Sequence, residues 1–213
     1  MDIIDPAVSD YLLEHCTPAD DVLRDLAAET RDAFPDAAGM QISHDEGELL
    51  TMLVRLTGAR LAVEVGVFTG YSSICVARGL PKDGRLIACD VSEEFTDVAR
   101  RYWARAGVDD LIELNLGPAL EALRALDRDP VVDFAFVDAD KISYPKYYDE
   151  LVPRLRPGGL MVIDNVLRAG RVLHPEHEWD VAVSDLNDRI VTDDRVESVM
   201  LPVRDGVTLV RKR

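Results

Sequence analysis

The sequence predicts an α/β fold in which helices flank a mostly parallel sheet, and two observations carry that reading. Short apolar runs at residues 61–65, 85–89, 111–114, 131–137 and 160–163 alternate with longer amphipathic stretches, the pattern of buried parallel strands joined by crossover helices. The tail differs. Residues 195–201 and 207–212 are both strand-like, and the link between them, bounded by Pro202 and Gly206, leaves no room for a helix, so they should pair antiparallel.

Ahead of the first strand, residues 5–58 read as three helices. Pro6 suits a first helical turn, Thr17-Pro18 reads as a cap followed by the start of a second helix, and Leu49, Leu50, Leu53 and Val54 recur at helical spacing. One crossover helix is especially legible. Ser92 caps it, Glu93 and Glu94 favour its positive end, Phe95, Val98, Ala99, Tyr102 and Ala106 form one face, and Gly107 ends it. No repeat, low-complexity tract or linker divides the 213 residues, which predicts one domain: N-terminal helices over 1–58 and an α/β core over 59–213.

Composition excludes several partners. Forty acidic against 24 basic residues leave a net charge of -16, which repels polyphosphates and offers no basic stripe to a nucleic acid. The three cysteines, Cys16, Cys75 and Cys89, lack ligand spacing, and the last two lie in apolar runs, which fits a reducing compartment. Residues 1–10 are acidic, without a basic region followed by an apolar one, and no apolar run reaches membrane-spanning length. A cytoplasmic protein without membrane association is therefore expected.

The first strand ends in Glu64-Val65-Gly66-Val67-Phe68-Thr69-Gly70-Tyr71-Ser72, where glycines permit a sharp turn and close approach of backbone amides to a ligand. Gly66 and Gly70 are four apart, unlike the G-x-G-x-x-G spacing that accommodates a pyrophosphate. The second strand finishes at Asp90, whose carboxylate can accept from two ribose hydroxyls. Together these suggest a nucleoside without a diphosphate, although a plain tight turn and a helix-capping aspartate would look the same.

A sharper signal follows. Asp138-Ala139-Asp140-Lys141 closes the fourth strand and Asp164-Asn165 the fifth, so neighbouring parallel strands bring Asp138, Asp164 and Asn165 to one edge of the sheet. Two carboxylates and an amide, with no thiolate or imidazole, suit a hard cation such as Mg²⁺, with Mn²⁺ or Ca²⁺ as alternatives. Helix capping explains one such aspartate more easily than three converging ligands.

These motifs resemble the cation-dependent class I O-methyltransferases, in particular the caffeoyl-CoA O-methyltransferase-like branch related to catechol O-methyltransferase. The resemblance runs from about residue 40 to 213 and includes Met40-Gln41-Ile42-Ser43, the glycine loop, Gly117-Pro118-Ala119-Leu120, the two acidic motifs and Asp205-Gly206-Val207-Thr208-Leu209. It implies a Rossmann-like three-layer sandwich, with a seven-stranded sheet whose last strand is antiparallel. It also implies a homodimer whose N-terminal helices cover the active site. For S-adenosylmethionine it implies contacts from Glu64, Gly66, Val67 and Ser72 around the methionine part, Asp90 on the ribose and Ala119 beside adenine. Met40 and Ile42 would cover the donor, and Asp138 and Asp140 would also touch it. Metal ligation would fall to Asp138, Asp164 and Asn165, with Asp138 and Lys141 in catalytic roles.

The acceptor that this implies is a small phenolic molecule with vicinal hydroxyls. Plant enzymes of the branch carry an acyl-binding asparagine where Ala169 stands here, and no lysine precedes Met40, so a coenzyme A ester is the less expected acceptor. An unperturbed phenol has a pKa of about 10, so ionisation must be promoted. A cation would do this, with Lys141 taking the proton; alternatively, Lys141 merely neutralises Asp138 or Asp140. Transfer would be a direct in-line displacement governed by alignment. Three other readings compete: a nicotinamide oxidoreductase, against which the loop spacing stands; a nucleic-acid methyltransferase, against which the charge stands; and a donor-binding protein without activity. Among weaker candidates, His174 and His177 could border the acceptor, Tyr144, Tyr147 and Tyr148 could wall it, and Tyr102 and Trp103 read as packing residues.

Overall fold

The computed structural model describes residues 5–126, 129 and 131–213; residues 1–4 of the acidic N-terminal stretch lie outside that range. Three helices come first, as expected: α1 (Pro6–Glu14), α2 (Asp21–Ala33) and α3 (His44–Thr57). The alternating region follows as β1 (Leu61–Val65), α4 (Tyr71–Gly79), β2 (Arg85–Asp90), α5 (Glu93–Ala106), β3 (Ile112–Leu116), α6 (Ala119–Ala125), β4 (Val132–Val137), α7 (Tyr144–Leu151), β5 (Leu155–Asp164) and α8 (Glu178–Thr192). The tail forms β6 (Val196–Leu201) and β7 (Val207–Lys212). All seven strands join one sheet in the order β3-β2-β1-β4-β5-β7-β6. Only β7 runs against the rest, antiparallel to both β5 and β6.

Local chemistry sets most element ends. Ser92 accepts a hydrogen bond from the Phe95 amide to start α5, and Gly107, at φ 66°, closes it in a left-handed turn. At α2 the reading shifts. Asp20, not Thr17-Pro18, caps the helix, because its carboxylate accepts from the Leu23 amide at 3.0 Å and also pairs with Arg78 at 2.6 Å. Strand β5 begins five residues earlier than the sequence suggests. Arg156-Pro157-Gly158-Gly159 resembles a turn, yet Leu155 pairs with Val132 and a register shift absorbs the irregularity before Phe134 meets Leu160.

The sheet's two-residue period divides the core into two layers. Phe134, Phe136, Leu160 and Val162 pack with Leu50, Val54 and Ile74 on the side of α2 to α5. Val63, Val65, Ala135, Val137, Met161 and Ile163 pack with Tyr144, Leu151 and Leu186 on the side of α6 to α8. Glu64 is in register with Phe136, and Asp164 continues the row of Leu160 and Val162, so both acids point into the first layer. Glu64 is fully buried and accepts from the Ser73 hydroxyl, while burial pushes its pKa up to about 8.

Strand ends meet tightly at Gly66. Its φ is 96°, and a Cβ there would lie 1.9 Å from the Asp138 carbonyl oxygen, so only glycine allows β1 and β4 to finish side by side. Gly66→Ala is expected to destabilise the fold by about 3 kcal/mol or more, through backbone displacement as well as a disfavoured φ, measured by urea denaturation. A second expectation concerns Glu64. Because its folded-state pKa lies above its unfolded value, the folded state holds a proton that the unfolded state has lost between about pH 4.5 and 8, so stability should fall as pH rises through that window. Glu64→Gln should shrink the loss of stability between pH 5 and pH 8, read from chemical denaturation at each pH.

Candidate active site

A cavity of about 950 Å³ opens at the C-terminal ends of the parallel strands, the edge where ligands bind in open α/β sheets. That size is at the upper end of ligand pockets, roughly 300–1,000 Å³. Of the residues singled out in the sequence, Met40, Ile42, Gly66, Val67, Ser72, Asp90, Ala119, Asp138, Asp140, Lys141 and Asn165 line it. Glu64 and Asp164 do not; they are buried at 0% and 1% exposure.

At one end of the cavity the glycine loop turns from β1 into α4. Asp90 organises this loop. Its Oδ2 accepts from the Val67 amide at 2.8 Å and the Phe68 amide at 2.9 Å, and its Oδ1 accepts from the Ser92 amide at 2.8 Å. Asp90 thus braces the loop backbone while Ser92 caps α5, and a carboxylate with about four acceptor sites retains capacity for a ligand hydroxyl. Phe68 sits at φ 51°. Its ring meets Phe95 edge to face at 4.7 Å, and Phe95 meets Phe34 at 5.0 Å, so an aromatic cluster ties α2 and α5 to the loop.

The acidic motifs meet beside the glycine loop, where the start of Asp138-Ala139-Asp140-Lys141 abuts Gly66. Asp164 accepts from the Asn165 backbone amide at 2.6 Å and from its side-chain Nδ2 at 3.0 Å. With its nitrogen so engaged, Asn165 keeps its carbonyl oxygen for a ligand. Lys141 donates from Nζ to Asp138 Oδ1 at 2.8 Å and to the Tyr144 hydroxyl at 2.6 Å, and that hydroxyl donates to the Asp164 backbone carbonyl at 3.1 Å. Asp140 accepts from the Tyr147 hydroxyl and from the Ser143 amide. Burial and the nearby Asp138 charge raise the Asp164 carboxyl well above the usual carboxylate range.

That raised carboxyl tests the donor set against a cation. Asp164 is buried beside a second acid, so a positive charge at this point would relieve both desolvation and repulsion. The oxygens of Asp138, Asp164 and Asn165 match the preference of hard cations. Among the described residues, no group of three or more histidine, cysteine, aspartate or glutamate side chains forms a self-contained metal cluster. Two carboxylates plus an amide make a partial set that leaves other positions to ligands.

The rim corrects the weaker expectations. His174 and His177 are exposed and outside the cavity lining; Trp179, against which the His177 ring lies at 6.2 Å, lines it instead. Tyr144 and Tyr147 join the Lys141 and Asp140 networks, whereas Tyr148 turns away to hydrogen-bond Asp193 at 2.9 Å. Tyr102 and Trp103 are buried packing residues. Three further residues line the cavity: Arg168 and Arg204, which no sequence motif singled out, and Asp205, which opened a motif but was given no role in the site. They come from the loops after β5 and before β7, where Arg168 and Arg204 themselves adopt φ 51° and 45°, and only the neighbouring Gly170 and Gly206, at φ 82° and 85°, mark the turns. Asp205 holds the two loops together by accepting from the Ala169 amide.

Comparison with known proteins agrees with this architecture. A family model described as "O-methyltransferase" matches residues 13–213. Probable caffeoyl-CoA O-methyltransferase 1 of Dictyostelium discoideum is 36% identical over 212 residues, covering 97% of this chain and 92% of that protein. Tricin synthase 1 of Oryza sativa subsp. japonica is 40% identical over 188 residues, covering 81% and 75%. Among solved structures, the O-methyltransferase TomG of Streptomyces achromogenes, in complex with SAM, has a TM-score of 0.86 at 34% identity, covering 97% of this chain and 96% of that one. The O-methyltransferase of Bacillus cereus, in complex with SAH, has a TM-score of 0.88 at 30% identity, covering 97% of both chains. With the strand order, the strand-end cavity and a match over nearly its whole length in agreement, the chain belongs to the O-methyltransferase family.

Proposed function

We propose that this protein transfers a methyl group from S-adenosylmethionine to one hydroxyl of a vicinal dihydroxy aromatic, with the help of a divalent cation. One observation carries the proposal: a single cavity is lined at once by the glycine loop with Asp90 and by the strand-end oxygens of Asp138 and Asn165. Relatives solved with SAM or SAH support the donor. Gly66, Val67 and Ser72 would surround its methionine part, Glu64 would support them from behind, Asp90 would take the ribose and Ala119 would border adenine. Met40 and Ile42 would close over it, and Asp138 and Asp140 would reach its sulfonium side.

Asp138, Asp164 and Asn165 would hold the cation, Mg²⁺ being the expected species and Mn²⁺ or Ca²⁺ the alternatives. When bound, such an ion supplies Lewis acidity that favours the ionised hydroxyl. Lys141 stands beside this position, donating to Asp138 and Tyr144; with a cation bound next to it, its ammonium would first give up one proton to solvent, and the neutral amine would then receive the hydroxyl proton. Trp179 would present a flat apolar surface to the aromatic ring. The residues then act by alignment, and no covalent intermediate with the chain is required.

A coenzyme A-linked acceptor is the second reading, favoured by the names of the relatives at 36–42% identity. Turnover of catechol, a monophenol and caffeoyl-CoA, each with and without chelator, separates the two. We expect catechol methylation that chelation abolishes; undiminished turnover in chelator overturns the cation, and preference for caffeoyl-CoA favours the second reading.

Two variants test the residue roles. Asn165→Ala should lose methyl transfer yet bind S-adenosylhomocysteine as the parent does, because the amide serves the acceptor side; calorimetry alongside single-turnover kinetics reads both. Asp90→Ala should weaken the donor by roughly 1.5 to 3 kcal/mol, the range for hydrogen bonds to a charged acceptor. An unchanged donor dissociation constant would remove Asp90 from the binding site.

A further inference from the structure

Helix α3 crosses the sheet face into which Asp164 projects, and its first turn carries a second fully buried acid, Glu46. Neither oxygen of the Glu46 carboxylate has a hydrogen-bond partner among the described residues. Buried polar groups are nearly always paired, so two orphaned oxygens on one side chain require an explanation.

Two ordinary explanations fail on geometry. Ser43 and Glu46 have the Ser-x-x-Glu spacing of a capping box, in which the glutamate reaches back to the cap amide. Here no such bond forms, and the Ser43 hydroxyl is itself buried and unpartnered. Charge pairing with Arg204 is equally incomplete. The nearest approach is 3.7 Å, without a hydrogen bond, and the same Arg204 Nη1 donates to the Gln41 carbonyl at 3.0 Å.

What the Glu46 carboxylate does approach is other acid. It lies at hydrogen-bonding range from Asp164 and also feels the charge of Asp138. Two ionised carboxylates in contact offer only acceptors to one another, so either a shared proton or a cation must stand between or beside them. In this protein one member of that contact, Asp164, is itself among the oxygens assigned to the cation.

We propose that Glu46 is a further acidic member of the cation site, placed beneath Asp164 so that a divalent cation, and not a protein donor, neutralises the pair. This rests on the cation-dependent reading above. Glu46 is a positioning residue: it adds negative charge behind Asp164 and constrains that carboxylate, and it has no assigned contact with donor or acceptor.

The test is cation affinity, measured by Mn²⁺ titration with electron paramagnetic resonance and by Mg²⁺ calorimetry, on the full chain and on Glu46→Gln, which preserves shape and removes charge. The variant should bind cation about 10- to 100-fold more weakly, the usual cost of losing a supporting partner at a metal site, while its affinity for S-adenosylhomocysteine is unchanged. Circular dichroism establishes that it folds. Should it not fold, Glu46→Asp, which keeps the charge but withdraws it by one methylene, must still weaken the cation relative to the parent. If the parent binds cation and the folded Glu46→Gln variant, or in its absence Glu46→Asp, binds it equally well, the inference is overturned and the pair is held by a shared proton. If the parent itself binds no divalent cation, the cation-dependent reading falls first, and this inference with it.

Discussion

The site depends on how closely two strands can finish side by side. The carbonyl oxygen of Asp138 occupies the space that a side chain at residue 66 would need, and the Asp138 amide donates back to Val65 at 2.9 Å. Glycine at that point lets β1 turn away at a positive φ while β4 continues beside it. Asp90 secures the other flank by accepting from two consecutive loop amides. The loop and the acidic strand end are thus one assembly, so a disturbance of either reaches both halves of the cavity.

Electrostatics sets the second constraint. The chain carries a net charge of -16, and at the ends of β4 and β5 it gathers acids that have been largely withdrawn from water. Desolvation and mutual repulsion hold the Asp164 and Glu46 carboxyls above their ordinary range. Lys141 offsets part of this at Asp138, and Arg204 approaches Glu46 without a hydrogen bond. Elsewhere the protein pairs a buried acid fully: Asp180, at 0% exposure, receives Arg168 and Arg171, each at 2.9 Å. Asp180 thus has its charge matched by protein donors, whereas the Asp164–Glu46 pair does not.

Rigidity is distributed to match. The loop after β5 and the turn before β7 hold Asn165, Arg168, Ala169 and Arg204 at φ between 45° and 57°, conformations that L-residues adopt at some cost. Asp205 and the buried Asp180 hold this rim in place through backbone and guanidinium contacts. On the N-terminal side the segment between α2 and α3, not the helices themselves, lines the cavity through Met40 and Ile42, while Phe34 packs on the Phe68 and Phe95 rings.

Sequence alone determined the strand alternation, the antiparallel tail, the α5 boundaries and the two acidic motifs, because burial on a sheet imposes a period and turns impose glycine or a cap. The same rules fell short where chemistry was locally ambiguous: the apolar run at 160–163 marks only the second half of β5, whose irregular start reaches back to Leu155, and Thr17-Pro18 reads as a cap while Asp20 caps α2 through the Leu23 amide. Tertiary structure decided the rest. Trp179 enters the cavity from the first turn of α8 and Arg204 from the turn between β6 and β7, positions that only packing brings to the strand ends, and Glu46 looks like a capping-box glutamate until the sheet places Asp164 beside it. Period and propensity are properties of neighbours along the chain, whereas the company a buried charge keeps is settled only when distant segments are packed together.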